Sequence, residues 1–343
     1  MSASVAINGY GRIGRSILRA IHERADTAPL HLVAINEPAD PEAVALLTRY
    51  DSSHGPFKRA VSHDPSHLIV DDQAIRLLPG QEPAHLPWEA LGIDLVLECT
   101  GLNADRSAGQ AHLDAGSRRI LFSQPATPDM DITVIHGFNH EAIRSSHRIL
   151  SAGSCTTNCL LPLLDILQAS FGFRHGTATT LHAAMNDQPV TDTLRSNSLR
   201  LTRAALNGMV PVDTALARGI TRLKPELEGR IDCTHLRLPT TAVSAMDITV
   251  VVEQPTTRAA VEQALTDAAS ATWRDRLGVC DDPVSSVDFA HDPRSGIVDL
   301  TQIRVVDDRV VKLLCWFDNE WGFANRMVDI ALQLTQLDQS PRG

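Results

Sequence analysis

Gly9-Tyr10-Gly11-Arg12-Ile13-Gly14 constrains this chain more than any other segment. It is a G-x-G-x-x-G, a pattern that is weak by itself. Here it follows the apolar triplet Val5-Ala6-Ile7 and precedes residues 12–24, whose Ile13, Ile17, Leu18 and Ile21 recur at helical spacing. His31 to Ile35 then reads as a second strand, ending at Asn36-Glu37. Strand, glycine loop, helix, strand is the context that a dinucleotide-binding turn requires. The glycines let the backbone turn and approach a pyrophosphate, which the N-terminus of the following helix attracts. Glu37 stands about 20 residues past the loop, where a carboxylate accepts hydrogen bonds from ribose hydroxyls and repels a 2′-phosphate. NAD is therefore expected rather than NADP, on Gly9, Gly11, Gly14 and Glu37.

The alternation continues through the first half of the chain. Ile93–Leu97, Ile120–Phe122 and Ile132–Ile135 read as further buried strands, and strands alternating with helices imply a parallel sheet covered on both faces. After about residue 150 the pattern changes. Leu160–Leu167 is apolar over a helix-like length, and Thr177–Leu181, Met246–Val252, Ile303–Val306 and Val310–Phe317 read as strands of a mixed sheet. A last helix around 322–336 carries Met327, Val328, Ile330, Ala331 and Leu334 on one stripe and is expected to pack back on the first domain. The expected fold class is α/β: a Rossmann-type parallel-sheet NAD domain plus an α+β catalytic domain with a mixed sheet. The first would span 1–154, completed by a C-terminal helix at 319–343, and the second 155–318. The length of 343 residues accommodates two such domains.

A formal net charge of -10 disfavours nucleic acid and anionic membrane surfaces as partners. No run of about 18 uninterrupted apolar residues occurs, so no spanning helix is expected, and the N-terminus lacks the pattern of a signal peptide. The six cysteines, at 99, 155, 159, 233, 280 and 315, form no C-x-x-C pair. Their spread fits a reduced, cytoplasmic protein with neither a disulfide framework nor a metal site. Cys155 stands apart from the others. Ser154, Thr156, Thr157 and Asn158 around it are small or polar, and the apolar run begins directly afterwards, which places Cys155 at a helix N-terminus. The helix dipole and its N–H groups favour a thiolate there and can also bind an oxyanion. Cys159, one turn on beside Leu160, reads as structural. His182 follows the strand-like Thr177–Leu181, and nothing in the spacing alone pairs it with Cys155.

Together these motifs resemble the glyceraldehyde-3-phosphate dehydrogenase family, over almost the whole chain. The resemblance rests on residues 7–15, on Ser154-Cys155-Thr156-Thr157-Asn158-Cys159, on Leu236-Arg237-Leu238-Pro239-Thr240 and on Trp316-Phe317-Asp318-Asn319-Glu320-Trp321-Gly322. Within the family the chain is most similar to the erythrose-4-phosphate dehydrogenase branch, through Ala34-Ile35-Asn36-Glu37, Tyr50-Asp51-Ser52-Ser53-His54-Gly55, Ala184-Met185-Asn186-Asp187-Gln188, Pro211-Val212-Asp213-Thr214, Phe289-Ala290-His291-Asp292-Pro293 and Phe323-Ala324-Asn325-Arg326-Met327. The resemblance implies that Cys155 attacks an aldehyde and that His182 takes the hydroxyl proton as hydride passes to NAD, leaving a thioester. Phosphate attacks that thioester in the glyceraldehyde-phosphate enzymes, and water does so in the erythrose-phosphate enzymes. It further implies that Arg12 and Ile13 lie around the pyrophosphate and Asn319 at the nicotinamide amide. Ser154, Thr156, Asp187, Arg200, Thr214 and Arg237 fall in the substrate and phosphate region. The partners implied are a small phosphorylated aldehyde and further copies of the chain in a homotetramer.

The anion sites depart from the family pattern. Leu201 stands where the family has a phosphate-binding arginine, and leucine cannot make a charged bidentate contact. Met185, Ala215 and Ala152 replace a threonine, a glycine and an asparagine. One phosphate pocket is thus expected to be reshaped, which favours D-erythrose 4-phosphate with hydrolysis by water, in pyridoxal 5'-phosphate biosynthesis. The alternative is phosphorylating oxidation of glyceraldehyde 3-phosphate. A third reading, an NAD-binding regulatory protein that has lost catalysis, rests on Leu201 and Ala152 and is opposed by Cys155, His182, Arg237 and Asn319.

Overall fold

In the strands Ala3–Asn8, Leu95–Glu98 and Arg119–Phe122 almost every residue is buried on both faces, which places them at the centre of a parallel sheet. The protein is described here by a computed structural model covering residues 2–102, 104–194 and 198–339. It divides into two compact units, residues 1–154 with 324–343, and residues 155–323.

Among the described residues the sheet of the first unit has nine strands, in the order Ile132–Thr133, Ile149–Ser151, Arg119–Phe122, Leu95–Glu98, Ala3–Asn8, Leu30–Asn36, Gln73–Leu78, His67–Val70, Val61–His63. The first seven run parallel and the last two pair antiparallel. This parallel-rich sheet is the Rossmann-type arrangement expected from the sequence. The antiparallel extension was not anticipated, because its short strands interleave polar residues. The helix Arg12–Glu23 follows the glycine loop and buries Ile17, Leu18, Ala20 and Ile21, whereas Ile13 is half-buried near the loop. The long last helix spans Trp321–Gln339, and from Ala324 onward it belongs to this unit. Its Asp329 gathers Arg24 at 2.8 Å, Arg326 at 2.8 Å and His136 at 3.5 Å, tying the C-terminal segment to the early chain. Residues 340–343, expected within the C-terminal helix, lie outside the described residues.

Among the described residues the second unit is built on an eight-stranded mixed sheet, in the order Val210–Pro211, Ile231–Leu238, Phe173–Ala183, Ser244–Val252, Val310–Phe317, Gly296–Asp299, Leu277–Cys280, with Arg304–Val306 pairing beside Val310–Phe317. Phe173–Ala183 is the pivot. It runs parallel to Ile231–Leu238 and antiparallel to Ser244–Val252. The helix Cys155–Phe171 packs over these central strands and buries Thr156 through Leu164 without a break. The mixed sheet agrees with the sequence expectation. Ile231–Leu238, Leu277–Cys280 and Gly296–Asp299 are additional strands, and Ile303 lies just outside the strand Arg304–Val306. Among the described residues no helix is long and apolar enough to cross a membrane.

Candidate active site

Cys155 opens its helix and His182 lies near the end of the pivot strand, and the fold brings them together: Cys155 Sγ is 3.7 Å from His182 Nε2. The imidazole is buried, and its Nδ1 donates to the carbonyl oxygen of Ala183 at 2.8 Å. That bond fixes the tautomer, since Nδ1 carries the proton and Nε2 presents its lone pair to the sulfur. Burial pushes the His182 pKa below that of an ordinary histidine, the Arg237 charge adds to this, and Glu320 and Asp187 oppose it. Burial also pushes the Cys155 thiol up to about 12, against hydrogen bonds from the Thr156 and Cys155 backbone N–H groups that pull it down. The helix N-terminus therefore acts in the direction the sequence implied, but desolvation outweighs it. Both shifts favour a thiol beside a neutral imidazole, a pair close enough for proton transfer. Cys159 is fully buried, its sulfur 3.6 Å from that of Cys315.

A hydrogen-bonded chain stands behind this pair. Ala183, which holds His182 through its carbonyl, donates its N–H to Ser244 Oγ at 3.1 Å, and the Ser244 hydroxyl donates to Asn319 Oδ1 at 2.9 Å. Asn319 thus has its acceptor end engaged and its Nδ2 as the donor end, which suits a carboxamide oxygen. Ser244 escaped the sequence reading. It begins the strand Ser244–Val252 as a buried hydroxyl ahead of an apolar run, and that position is the available signal.

Arg237 is in register with His182 on the neighbouring parallel strand, so both side chains emerge on one face. It is buried and ion-paired with the half-exposed Asp187. Its Nε is buried and lacks a hydrogen-bond partner. Thr156 is buried in the first turn of the Cys155 helix, and Ser154 is half-buried immediately before it. Thr214 Oγ1 accepts the backbone N–H of Leu216 at 3.1 Å, which leaves the hydroxyl proton as a donor. Arg200 is different: it is exposed and lines a separate cavity of about 490 Å³ with Asp192, Arg203, Asn207 and Met209. Leu201 is half-buried beside it. A second histidine, His235, also missed from the sequence, stacks on His182 with ring centroids 5.0 Å apart. Its spacing of two from Arg237 within one strand is the signal that places it on the same face.

In the first unit the glycine loop borders a cavity of about 680 Å³ lined by Asn8, Gly9, Gly11, Asn36, Glu37 and Thr100 among others. Gly9 has a φ of +88°, and a Cβ there would lie 2.6 Å from Thr100 N. A Cβ on Gly14 would meet Gly9 O at 2.3 Å, so the helix can approach the strand only as glycine. The helix Arg12–Glu23 has neither a side-chain cap nor an acidic residue in its first turn. Glu37 Oε2 accepts the N–H of Tyr10 at 2.8 Å, so the carboxylate braces the loop while it lines the cavity. Arg12 is ion-paired with Asp51, whose carboxyl is held well below the usual range chiefly by that guanidinium and the His54 and Ser53 N–H groups, against its burial. Glycines without clash, a helix N-terminus and a carboxylate at the strand end fit a dinucleotide with an unphosphorylated ribose.

Comparison with known families agrees with both halves. Residues 3–106 match glyceraldehyde 3-phosphate dehydrogenase, NAD binding domain, and residues 154–319 match glyceraldehyde 3-phosphate dehydrogenase, C-terminal domain. The chain belongs to the glyceraldehyde 3-phosphate dehydrogenase family and is an NAD-dependent aldehyde-phosphate dehydrogenase.

Proposed function

We propose that this chain oxidises D-erythrose 4-phosphate to 4-phosphoerythronate, with water releasing the product, in pyridoxal 5'-phosphate biosynthesis. NAD, when bound, supplies the hydride acceptor; the protein supplies the rest. Cys155 Sγ adds to the aldehyde carbon as its proton passes to His182 Nε2, forming a thiohemiacetal. His182 Nε2 returns that proton to the aldehyde oxygen, giving the hydroxyl, and, neutral again, takes the hydroxyl proton as the carbon loses hydride; a thioester remains on Cys155 and His182 loses its proton to solvent. Thr156 N–H, at the start of the helix, stabilises charge at the sulfur and at the adjacent oxygen. His182, neutral once more, then removes a proton from the attacking water, and the acid leaves. Asn319, held by Ser244, is assigned to the nicotinamide amide, and Glu37 with the glycine loop, Arg12 and Ile13 to the rest of NAD. Ser154 and Asp187 complete the substrate region.

The observation that carries the substrate choice is the supply of cations. Arg237 is buried beside His182 and already shares its charge with Asp187, Leu201 is neutral, and Arg200 lines a different cavity. Among the described residues this leaves one guanidinium, which with Thr214 and Thr156 as neutral donors suits one dianion. Two adjacent phosphates, which phosphorolysis of glyceraldehyde 3-phosphate requires, would repel with little compensation. That second reading keeps one observation in its favour, the neutral donors of Thr156 and Thr214. The test is NADH formation against inorganic phosphate concentration on both aldehydes. Phosphate-independent turnover, faster on the four-carbon substrate, is expected; a strict phosphate requirement with glyceraldehyde 3-phosphate preferred overturns the proposal.

We further propose that residues 1–154 with the C-terminal helix bind NAD and residues 155–318 carry the chemistry. A homotetramer is proposed as well. Met185, Val190, Leu194, Leu199, Leu206 and Met209 are exposed apolar side chains concentrated in one segment, an arrangement that favours burial against another copy. Light scattering on the purified protein measures the assembly. The free cysteines accord with a cytoplasmic setting.

A further inference from the structure

His182 is pinned on several sides, and one of its neighbours has no role in the chemistry above. The strands Phe173–Ala183 and Ile231–Leu238 pair in parallel with Thr180 opposite His235 and His182 opposite Arg237, so these four side chains share a face. The His235 ring lies over the His182 ring, with centroids 5.0 Å apart and planes 25° from parallel. Phe317 meets His182 edge-on at 6.4 Å, and Ala183 O holds its Nδ1. His235 Nε2 and Thr180 Oγ1 are both buried without a hydrogen-bond partner. Burial, helped by His182 and Arg237, pushes the His235 pKa down to about 3, so the ring is neutral at working pH. The charged and titratable groups around the pair are Cys155 on the helix, Arg237 on the strand of His235, Asp187 beyond His182, and Asp318 and Glu320 before the last helix.

We propose that His235 is a positioning residue for the oxidation: as a flat, uncharged ring it covers one face of His182 against water and keeps that imidazole neutral and aimed at Cys155 into mildly acidic solution. A water-exposed His182 would regain protons at higher pH, because solvation favours the imidazolium. Protonated, it has no lone pair for the substrate. The inference rests on the reading of Cys155 and His182 as nucleophile and base.

The test compares kcat/KM from pH 5 to 9 for the wild type, His235→Ala and His235→Phe, on whichever aldehyde phosphate turns over faster, with iodoacetamide labelling of Cys155 mapped by mass spectrometry. For His235→Ala the acid limb should move up by about one pH unit, the scale of a partly lifted desolvation. The ratio of activity at pH 6 to that at pH 8 then falls several-fold. His235→Phe should restore the wild-type limb, because a flat apolar ring excludes water equally well. If His235→Ala fails to fold by circular dichroism, His235→Asn takes its place. An unmoved limb in the small variant, or an equal shift in His235→Phe, overturns the inference. Failure of the underlying reading looks different: Cys155 would remain unlabelled, or Cys155→Ser would stay active.

Discussion

Replacing His182 by asparagine separates the two roles proposed for the imidazole. Asparagine Nδ2 can still donate to Ala183 O, where His182 Nδ1 bonds at 2.8 Å, but it places nothing where Nε2 stood 3.7 Å from Cys155 Sγ. The positioning bond survives and the base is lost. A general base contributes roughly 10²–10⁴-fold, so kcat should fall by that factor, equivalent to about 3–5 kcal/mol in the barrier. Removing the ring also ends the stack on His235 and the edge contact with Phe317, a loss of about 1 kcal/mol in folding stability that a domain of this size tolerates. The pH profile is the sharper readout. In the proposed mechanism His182 works as the neutral imidazole, and burial lowers its pKa, so the wild-type acid limb of kcat/KM should lie below the ordinary histidine value of about 6.5. In His182→Asn that limb should disappear. The assay is NADH formation between pH 5 and 9, with NAD binding and thermal melting as controls. A folded variant that keeps a tenth or more of wild-type turnover, or that retains the wild-type acid limb, refutes the assignment.

Other consequences follow from the same geometry. Glu37→Gln should narrow the preference for NAD over NADP in kcat/KM, because the carboxylate that would face a 2′-phosphate loses its charge; an unchanged ratio removes Glu37 from the ribose site. Gly9→Ala should weaken NAD binding and lower the melting temperature. Its Cβ would lie 2.6 Å from Thr100 N in a left-handed backbone, a cost of about 1–3 kcal/mol read by denaturant titration. Acid lability should come in part from His235. The unfolded chain takes up a proton at about pH 6.5 and the folded chain only near 3, so stability is lost as pH falls through that window, by about 2 kcal/mol at pH 5. His235→Phe should flatten the fall in melting temperature between pH 7 and 5, and an unchanged slope contradicts this.

The glycine loop and Cys155 are legible in the sequence because local chemistry sets them. A tight turn needs Gly9 and Gly14 whatever the rest of the chain does, and a polar turn before an apolar run marks a helix start. The strand Ile231–Leu238 is hidden for the opposite reason. Its inward positions are Ile231, Cys233, His235 and Arg237, so the face turned toward His182 is largely polar or titratable, and the apolar alternation that announces a strand is absent. The site itself erases the signal. Ser244 and His235 are invisible for a related reason, since each acts through a partner distant in sequence that only the sheet register supplies. The balance at Cys155 was likewise only half readable: the helix N-terminus can be inferred from the sequence, but the burial that outweighs it depends on the packing of the whole unit.

The central claim is that oxidation proceeds through an acyl group on Cys155, and acid quenching within the first turnover tests it directly. The enzyme is mixed with NAD and erythrose 4-phosphate without inorganic phosphate, quenched, digested and examined by mass spectrometry. The account predicts one phosphoerythronoyl adduct, on the peptide containing Cys155, appearing with the first equivalent of NADH, and neither adduct nor NADH from Cys155→Ser, which should still bind NAD. NADH formed without an adduct, an adduct on another residue, or sustained turnover by Cys155→Ser would contradict it.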